Sequence, residues 1–170
     1  MILISAGHSN TDPGAVGNGY TEAQIVTEFR NLVAFYLKRA GVDFITDGEW
    51  DDNKPLRDAI ELAKTADLAV EFHCNSFYSP AATGVETLSD FKHRKLGGQI
   101  CQAISGVLGI TNRGAKGESS GQHSRLGFVR VGGIIVELFF ISNPNDVAVY
   151  QAKKWLVAQA VAELLMEHGK

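Results

Sequence analysis

The chain has 170 residues, of which 45% are hydrophobic, and its formal net charge is −3. This length and composition are typical of one globular domain with a single core, so we predict one domain over residues 1–170 and a monomer. The small negative charge gives no sign of the clustered basic face on which nucleic-acid binding depends, so we expect no nucleic-acid partner. No apolar run approaches the ~20 residues of a membrane span. The short run after Met1 follows no basic segment, so we expect neither membrane insertion nor a signal peptide.

Apolar runs and amphipathic stretches alternate along the chain. In the first helix, Ile25, Phe29 and Leu32 recur at helical spacing. Thr21 before them is a suitable N-cap, and Gly41 suits the position after the last turn. This alternation predicts an α/β fold with three layers (αβα), a mixed, mostly parallel sheet of about five or six strands flanked by helices. The predicted strands are residues 2–8, 42–46, 68–73, 84–88 and 134–137, and the predicted helices are residues 21–41, 55–65, 91–108 and 146–168.

Two further features carry weaker signals. Residues 112–130 are rich in glycine and in charges of both signs, which favours a surface loop or hairpin near the functional edge of the sheet. Cys74 and Cys101 are too few for a disulfide scaffold, so we expect two free, packed thiols.

Three apolar runs end on side chains that can bind a metal. His8 ends the run at residues 2–8, His73 ends the strand at 68–73, and Glu137 ends the strand at 134–137. In a parallel-type sheet the carboxyl ends of the strands meet at one edge, where the functional crevice lies. Two histidines and a carboxylate are the ligands of catalytic zinc, so the sequence predicts a zinc-dependent hydrolase.

Glu22 is the preferred carboxylate ligand. It lies in the first turn of the first long helix, and the glycine-rich loop after His8 allows the chain to return to the same edge. A stabilising contact with the helix dipole is the alternative for Glu22. Asp12 is the competing ligand, although its position before Pro13 and Gly14 also suits a turn.

Glu137 and Glu71 both interrupt apolar strands. A buried carboxylate without a partner is costly, so Glu137 needs a salt bridge, a metal or a catalytic role. In a zinc hydrolase that role is a general base, which takes a proton from water and delivers it to the leaving nitrogen. Glu71 lies two residues before His73, on the same face of the strand. It is predicted either to support the site or to form an ion pair with Arg57 or a lysine.

With these residues identified, the chain resembles the zinc-dependent N-acetylmuramoyl-L-alanine amidases of the family 3 type, found in bacterial cell-wall enzymes and phage endolysins. The resemblance covers nearly the whole chain in order, and its motifs are jointly specific. They are Gly7-His8 followed by residues 12–15, Glu22 after a Gly-Asn-Gly turn, residues 66–76, residues 84–87, the Asn-Arg-Gly-Ala-Lys segment at residues 112–116, and residues 136–144.

The resemblance implies the metal, the reaction and the substrate. It implies a Zn²⁺ ion bound by His8, Glu22 and His73, with Glu137 as the catalytic residue. The implied substrate is peptidoglycan, which is cleaved at the amide bond between the lactyl group of N-acetylmuramic acid and the L-alanine of the stem peptide. The implied fold, a mostly parallel sheet flanked by helices, agrees with the pattern of strands and helices.

Three positions depart from the family pattern. Cys74 stands where alanine is usual, Phe139 where glycine is usual, and Glu71 where a small residue is common. None of these departures removes a ligand or the general base. We expect Phe139 to narrow the site beside Glu137.

Substrate binding is predicted at Arg113, Lys116 and Asn75. The two cations lie in a glycine-rich segment, and stem peptides carry carboxylates that an arginine can bind through two parallel hydrogen bonds. Solvated surface charge is the alternative for both cations.

Two other kinds of protein remain open. A zinc carboxypeptidase or aminopeptidase would use the same ligands on other peptides. A wall-binding module would keep the fold around a structural zinc closed by a fourth ligand, for which Cys74 is the obvious residue. Neighbours in a regular strand point to opposite faces, which argues against a site that joins Cys74 to His73.

The expected biological setting follows from the lack of a recognisable signal peptide. The protein would be synthesised in the cytoplasm of a bacterial host and would reach the wall only after release. A phage or prophage endolysin, released by a separate membrane-permeabilising protein, fits this expectation. The catalytic fragment of a longer exported enzyme is the alternative.

Overall fold

Strands and helices alternate along the chain in the computed structural model, which describes residues 1–120 and 126–169. The strands are β1 (Ile2–Ala6), β2 (Val16–Gly17), β3 (Tyr20–Thr21), β4 (Phe44–Thr46), β5 (Leu68–Asn75), β6 (Val85–Leu88), β7 (Asn112–Lys116) and β8 (Ile134–Phe140). The α-helices are α1 (Glu22–Arg39), α2 (Leu56–Ala63), α3 (Arg94–Leu108), α4 (Gly127–Arg130) and α5 (Pro144–His168), and a short 3₁₀ helix spans Glu118–Ser120.

One mixed sheet of six strands, in the order β4-β1-β5-β8-β6-β7, forms the centre of the molecule. Strands β4, β1, β5 and β8 run parallel, β6 is antiparallel to β8, and β7 is parallel to β6. The predicted α/β class with a mixed, mostly parallel sheet is therefore confirmed. The carboxyl ends of β1, β5 and β8 meet at one edge, which brings together the residues that end or follow these strands.

Helices cover both faces of this sheet. On one face α1, α3 and α5 pack over the larger apolar core, and on the other α2 and α4 cover a smaller one. Successive side chains of β1 pack on opposite faces of the sheet, since Ile2 and Ile4 belong to the larger core and Leu3 to the smaller. A strand covered on both faces has to be apolar throughout, which explains the continuous apolar run at the start of the chain.

Local capping residues set the limits of the long helices. Thr21 caps α1 in a capping box with Gln24, as predicted for the N-cap. Gly41 follows α1 with φ 70°, and Gly109 ends α3 with φ 72°. Helix α5 begins earlier than predicted, because the side chain of Asn143 accepts the first free backbone N–H groups of that helix.

The predicted loop or hairpin at residues 112–130 is wrong in its first part, which is strand β7. This strand pairs with β6 at the edge of the sheet. An edge strand lacks the apolar run of a central strand, and Gly114 within it has φ 81°, so the sequence pattern conceals it. Residues 121–125 lie outside the described residues.

Both cysteines are free and buried, as predicted. Each packs in the larger apolar core. Among residues 1–120 and 126–169, no helix is long and apolar enough to cross a membrane.

Candidate metal centre

Three side chains that the sequence singled out meet at the carboxyl edge of the sheet. His8 follows β1, Glu22 is the first residue of α1, and His73 lies near the end of β5. One ligand atom from each lies within 4.8 Å of the other two. His8 has φ 67°, a left-handed conformation that a residue with a side chain adopts at a cost, and such strain is often found at functional sites.

The Glu22 carboxylate lies between the two histidines. Its Oε2 is 2.9 Å from Nε2 of His8, and its Oε1 is 3.0 Å from Nδ1 of His73. The backbone N–H groups of Ala15 and Cys74 donate to the same two oxygens, at 3.1 and 2.9 Å. Burial opposes ionisation of Glu22, but hydrogen bonds with His73 and His8 outweigh it and hold the pKa of this carboxyl well below its usual range. Glu22 is therefore a carboxylate fixed through both oxygens.

The other nitrogen of each histidine also faces a carboxylate. Nδ1 of His8 is 3.1 Å from Asp12, and Nε2 of His73 is 3.0 Å from Oε1 of Glu71. Asp12 thus contacts His8 from the side away from Glu22, as a partner of one histidine. Glu71 is predicted either to support the site or to form an ion pair with Arg57 or a lysine. The structure shows the first arrangement, because the Glu71 carboxylate contacts His73 and Ser5.

The backbone at Gly7 and Gly14 lies so close to the two imidazole rings that neither position has room for a side chain. A Cβ atom on Gly7 would lie 2.2 Å from Cε1 of His73, and one on Gly14 would lie 2.6 Å from Nε2 of His8. Two imidazole nitrogens and a carboxylate oxygen, supplied from β5, from α1 and from the turn that follows β1, are the donor set of a catalytic zinc site with an open fourth position. The residues present fit a zinc ion.

Glu137 lies beside this cluster on β8, paired with His73 of β5 on one side and with Glu86 of β6 on the other. Its Oε2 is buried and has no hydrogen-bond partner within the described part of the chain. Burial raises the pKa of Glu137 to about 7. A carboxyl group with a pKa near neutrality is suited to accept and return a proton at physiological pH.

The prediction that Phe139 narrows the site is wrong. Between His73 and Phe140 the pairing of β5 with β8 shifts register, which inserts an extra residue into β8. Phe139 turns into the core, where its ring lies 4.6 Å from that of Tyr150, and Phe140 faces the cleft instead. Sequence alone does not reveal such a bulge, because the alternation of side chains is assumed to continue along the strand.

Glu86 is a residue of the site region that the sequence analysis missed. Its Oε2 accepts hydrogen bonds from Nε of Arg113 at 2.8 Å and from Nζ of Lys116 at 2.6 Å. Its Oε1 accepts one from Nδ2 of Asn75 at 3.1 Å. One carboxylate thus holds all three predicted substrate-binding residues. Glu86 interrupts a short buried strand, which is the same signal that identified Glu137.

The neighbours of Glu86 also control its ionisation. Burial opposes ionisation, but hydrogen bonds from Lys116 and Arg113 outweigh it and lower the pKa of Glu86. Because the pKa is lower in the folded protein than in the unfolded chain, this carboxylate stabilises the fold above the unfolded pKa of ~4.3. The stabilisation is lost as pH falls from that value towards the folded pKa.

Replacing Glu86 with glutamine is expected to lower the free energy of unfolding by about 1.5–3 kcal/mol at neutral pH, since hydrogen bonds to a charged group are removed. The difference from the parent protein should shrink as pH falls below ~4.3, where the parent also begins to lose the charge. Urea unfolding across this pH range measures both effects. Glu163→Gln, an exposed change on α5, is the control. A difference that stays constant with pH would contradict the ionic role of Glu86.

The cluster opens into a cleft of about 590 Å³. Arg113 reaches its wall, where the guanidinium lies over the ring of Phe140 at 5.0 Å. The three predicted metal ligands, the predicted general base and two of the predicted substrate-binding residues all line this cleft. They are His8, Glu22, His73, Glu137, Arg113 and Asn75.

A three-layer α/β fold with two histidines and a glutamate at the carboxyl edge of its sheet, beside a carboxyl group of raised pKa, has the features of a hydrolase site. The family described as N-acetylmuramoyl-L-alanine amidase matches residues 2–167. The chain belongs to this family.

Solved structures and a curated protein are also similar to this chain. A crystal structure from Neisseria meningitidis, of a protein proposed to be an N-acetylmuramoyl-L-alanine amidase, is 41% identical, with a TM-score of 0.90 and coverage of 99% of this chain and 95% of that one. The catalytic domain of the amidase CwlV from Bacillus (Paenibacillus) polymyxa shares the fold, with 24% identity, a TM-score of 0.85 and coverage of 98% and 96%.

The N-acetylmuramoyl-L-alanine amidase LytC of Bacillus subtilis is 28% identical over 172 residues. The match covers 94% of this chain but only 34% of LytC, so the chain corresponds to about a third of that protein.

Proposed function

We propose that this protein hydrolyses the amide bond between the lactyl group of N-acetylmuramic acid and the L-alanine of the peptidoglycan stem peptide. In this proposal His8, Glu22 and His73 hold a zinc ion. The observation that carries it is the meeting of these three ligand atoms within 4.8 Å, beside a glutamate whose buried oxygen lacks a partner among the described residues. Family membership supports the choice of the bond that is cleaved.

The residues of the site have distinct roles in this reaction. A zinc ion held there would polarise the scissile carbonyl and lower the pKa of water towards ~7. Glu137 accepts a proton from the attacking water at its buried Oε2 and then delivers it to the leaving nitrogen of L-alanine. Glu22, bonded by two backbone N–H groups, keeps both histidines in place during the cycle.

Purified protein loaded with zinc should clear a suspension of bacterial walls and release new amino termini that belong to L-alanine. Excess chelator should stop this, and added zinc should restore it. Most of the far-UV circular dichroism should survive chelation, because the two apolar cores do not include the ligands. Full lysis in excess chelator would exclude the metal mechanism.

The same digestion separates the alternatives. A zinc carboxypeptidase or aminopeptidase would release single amino acids instead of L-alanine amino termini. A wall-binding module would bind walls without hydrolysis. The closed zinc site required by that last alternative lacks support, because Cys74, although it follows His73 on β5, packs in the larger apolar core and is not among the grouped ligand atoms.

Arg113 is proposed to bind a carboxylate of the stem peptide. Its Nε donates to Glu86 and its guanidinium lies over the ring of Phe140, which presents the guanidinium at the wall of the cleft. Lys116 and Asn75 are proposed to act less directly, since Glu86 also engages the Lys116 amine and the Asn75 amide.

Arg113→Ala is therefore expected to raise KM for a soluble muramoyl-peptide by about 10-fold or more, with little change in kcat, because a charged hydrogen bond contributes ~1.5–3 kcal/mol. Steady-state kinetics provide the measurement. Arg39→Ala, an exposed change in the last turn of α1, is the control. Unchanged KM and kcat would remove Arg113 from the substrate site.

The endolysin setting stays a prediction. It requires that the protein, produced alone in the bacterial cytoplasm, leaves cells intact until the inner membrane is permeabilised, after which they lyse quickly. Slow spontaneous lysis, with enzyme found outside the membrane, would contradict this setting and favour an exported enzyme.

A further inference from the structure

We infer that Glu71, supported by Ser5, is a positioning residue that turns His73 so that Nδ1 faces the metal position and Nε2 faces away from it. The inference rests on the proposed metal site. It assigns a role to a buried carboxylate that the proposed reaction does not use, and it specifies which nitrogen of His73 is the ligand.

The contact between Glu71 and His73 determines the position of a proton. Oε1 of Glu71 is 3.0 Å from Nε2 of His73, and Glu71 is 1% exposed. An ionised carboxylate only accepts hydrogen bonds, so Nε2 has to carry the proton. Nδ1 lies 3.0 Å from Glu22, on the side of the other two ligands, and its lone pair is then available to a metal.

A second contact ties Glu71 to the buried core. The Ser5 hydroxyl lies 2.7 Å from Oδ2 of Asp47 and 3.2 Å from Oε2 of Glu71. A hydroxyl has one proton, so Ser5 shares it between the two carboxylates, with the shorter bond to Asp47. The N–H of His73 is therefore the closest donor that Glu71 has among its described contacts, which makes this bond the main restraint on the carboxylate.

Asp47 is itself held rigidly. Nη1 of Arg30 donates to it at 3.0 Å, and both side chains are fully buried. The backbone N–H of Ala6 also donates to Asp47, at 3.1 Å. A continuous series of buried contacts therefore runs from the metal ligand His73 through Glu71, Ser5 and Asp47 to Arg30, and each link restricts the next side chain.

The corresponding partner of His8 is held much less firmly. Asp12 contacts Nδ1 of His8, but its side chain is 62% exposed and lies in a loop. Solvent screens such a contact, and the backbone N–H of Gly14, which donates to Asp12 at 3.0 Å, is also in an exposed part of the loop. The two histidines thus differ, and removing the partner of His73 should weaken zinc binding more than removing the partner of His8.

A series of variants tests this with the zinc-loaded protein. Glu71→Met keeps the volume of the side chain but removes the acceptor, whereas Glu71→Gln keeps a carbonyl oxygen that can accept from Nε2. We expect Kd for zinc, measured by competition with a chromophoric chelator, to rise ~10–100-fold in Glu71→Met. It should stay close to the parent value in Glu71→Gln, and Asp12→Asn should change it less than Glu71→Met does.

Nitrogen NMR of the histidine side chains supplies the readout that a merely structural role would not change. In the zinc-loaded parent protein, His73 should be bound through Nδ1 and protonated at Nε2, and in Glu71→Met this single form should be lost. Binding through Nε2 in the parent overturns the inference even if the Met variant fails to fold. A Kd unchanged in Glu71→Met, or raised equally in Glu71→Gln, also overturns it. Failure of the parent to bind zinc overturns the proposed metal site itself.

Discussion

Glu137→Gln is expected to lower turnover by ~10²–10⁴-fold while the zinc content stays unchanged, because general acid–base catalysis alone contributes an effect of this size. Glutamine has nearly the shape of glutamate but cannot accept a proton from water. The site supports this separation of roles. Glu137 lies on β8 beside His73, whereas the group of ligand atoms consists of His8, Glu22 and His73.

Release of L-alanine amino termini by equal amounts of zinc-loaded parent and variant measures this effect, with metal analysis of the same samples. Glu163→Gln repeats the chemical change at an exposed site on α5 and should have normal turnover. Turnover within about 10-fold of the parent would show that Glu137 is not the general base, since its removal has to cost more than that.

The part of the site that could be predicted from sequence depends on strand ends. His8 and His73 each close an apolar run, and parallel strands bring such residues to the same edge whatever the loops do. The structure places them together, with Glu22 between them. Predicting Glu22 as a ligand required more than helical periodicity, because the turn-rich loop after His8 has to bring the chain back to the same edge of the sheet. Its position next to a well-capped helix start made that return predictable.

The part that could not be predicted depends on contacts between distant segments. Strand β7 has no apolar run of its own and is a strand only because β6 offers it an unpaired edge. Glu86 gains its importance from Arg113 and Lys116, which reach it only once that pairing has formed. Phe139 enters the core through an extra residue in β8, and no residue type marks that insertion.

Replacing a metal ligand is expected to weaken zinc binding, whereas replacing the general base is expected to lower turnover and leave zinc binding unchanged. His8→Ala and His73→Ala are each expected to weaken zinc binding by at least about 100-fold, because loss of a residue that merely orients a ligand already costs ~10–100-fold. Wall lysis should be lost at limiting zinc. Far-UV circular dichroism should change little, since both apolar cores form without these side chains.

His168→Ala, an exposed histidine in the last turn of α5, is the matched control and should bind zinc as the parent does. The pair Glu22→Gln and Glu137→Gln then completes the assignment of the two glutamates. Glu22 bridges His8 and His73 through its two oxygens, so its amide variant should lose metal. Glu137 contributes no ligand atom to that group, so its amide variant should retain metal. Zinc lost from Glu137→Gln but kept by Glu22→Gln would reverse the two roles, with Glu137 as the ligand and Glu22 as the base.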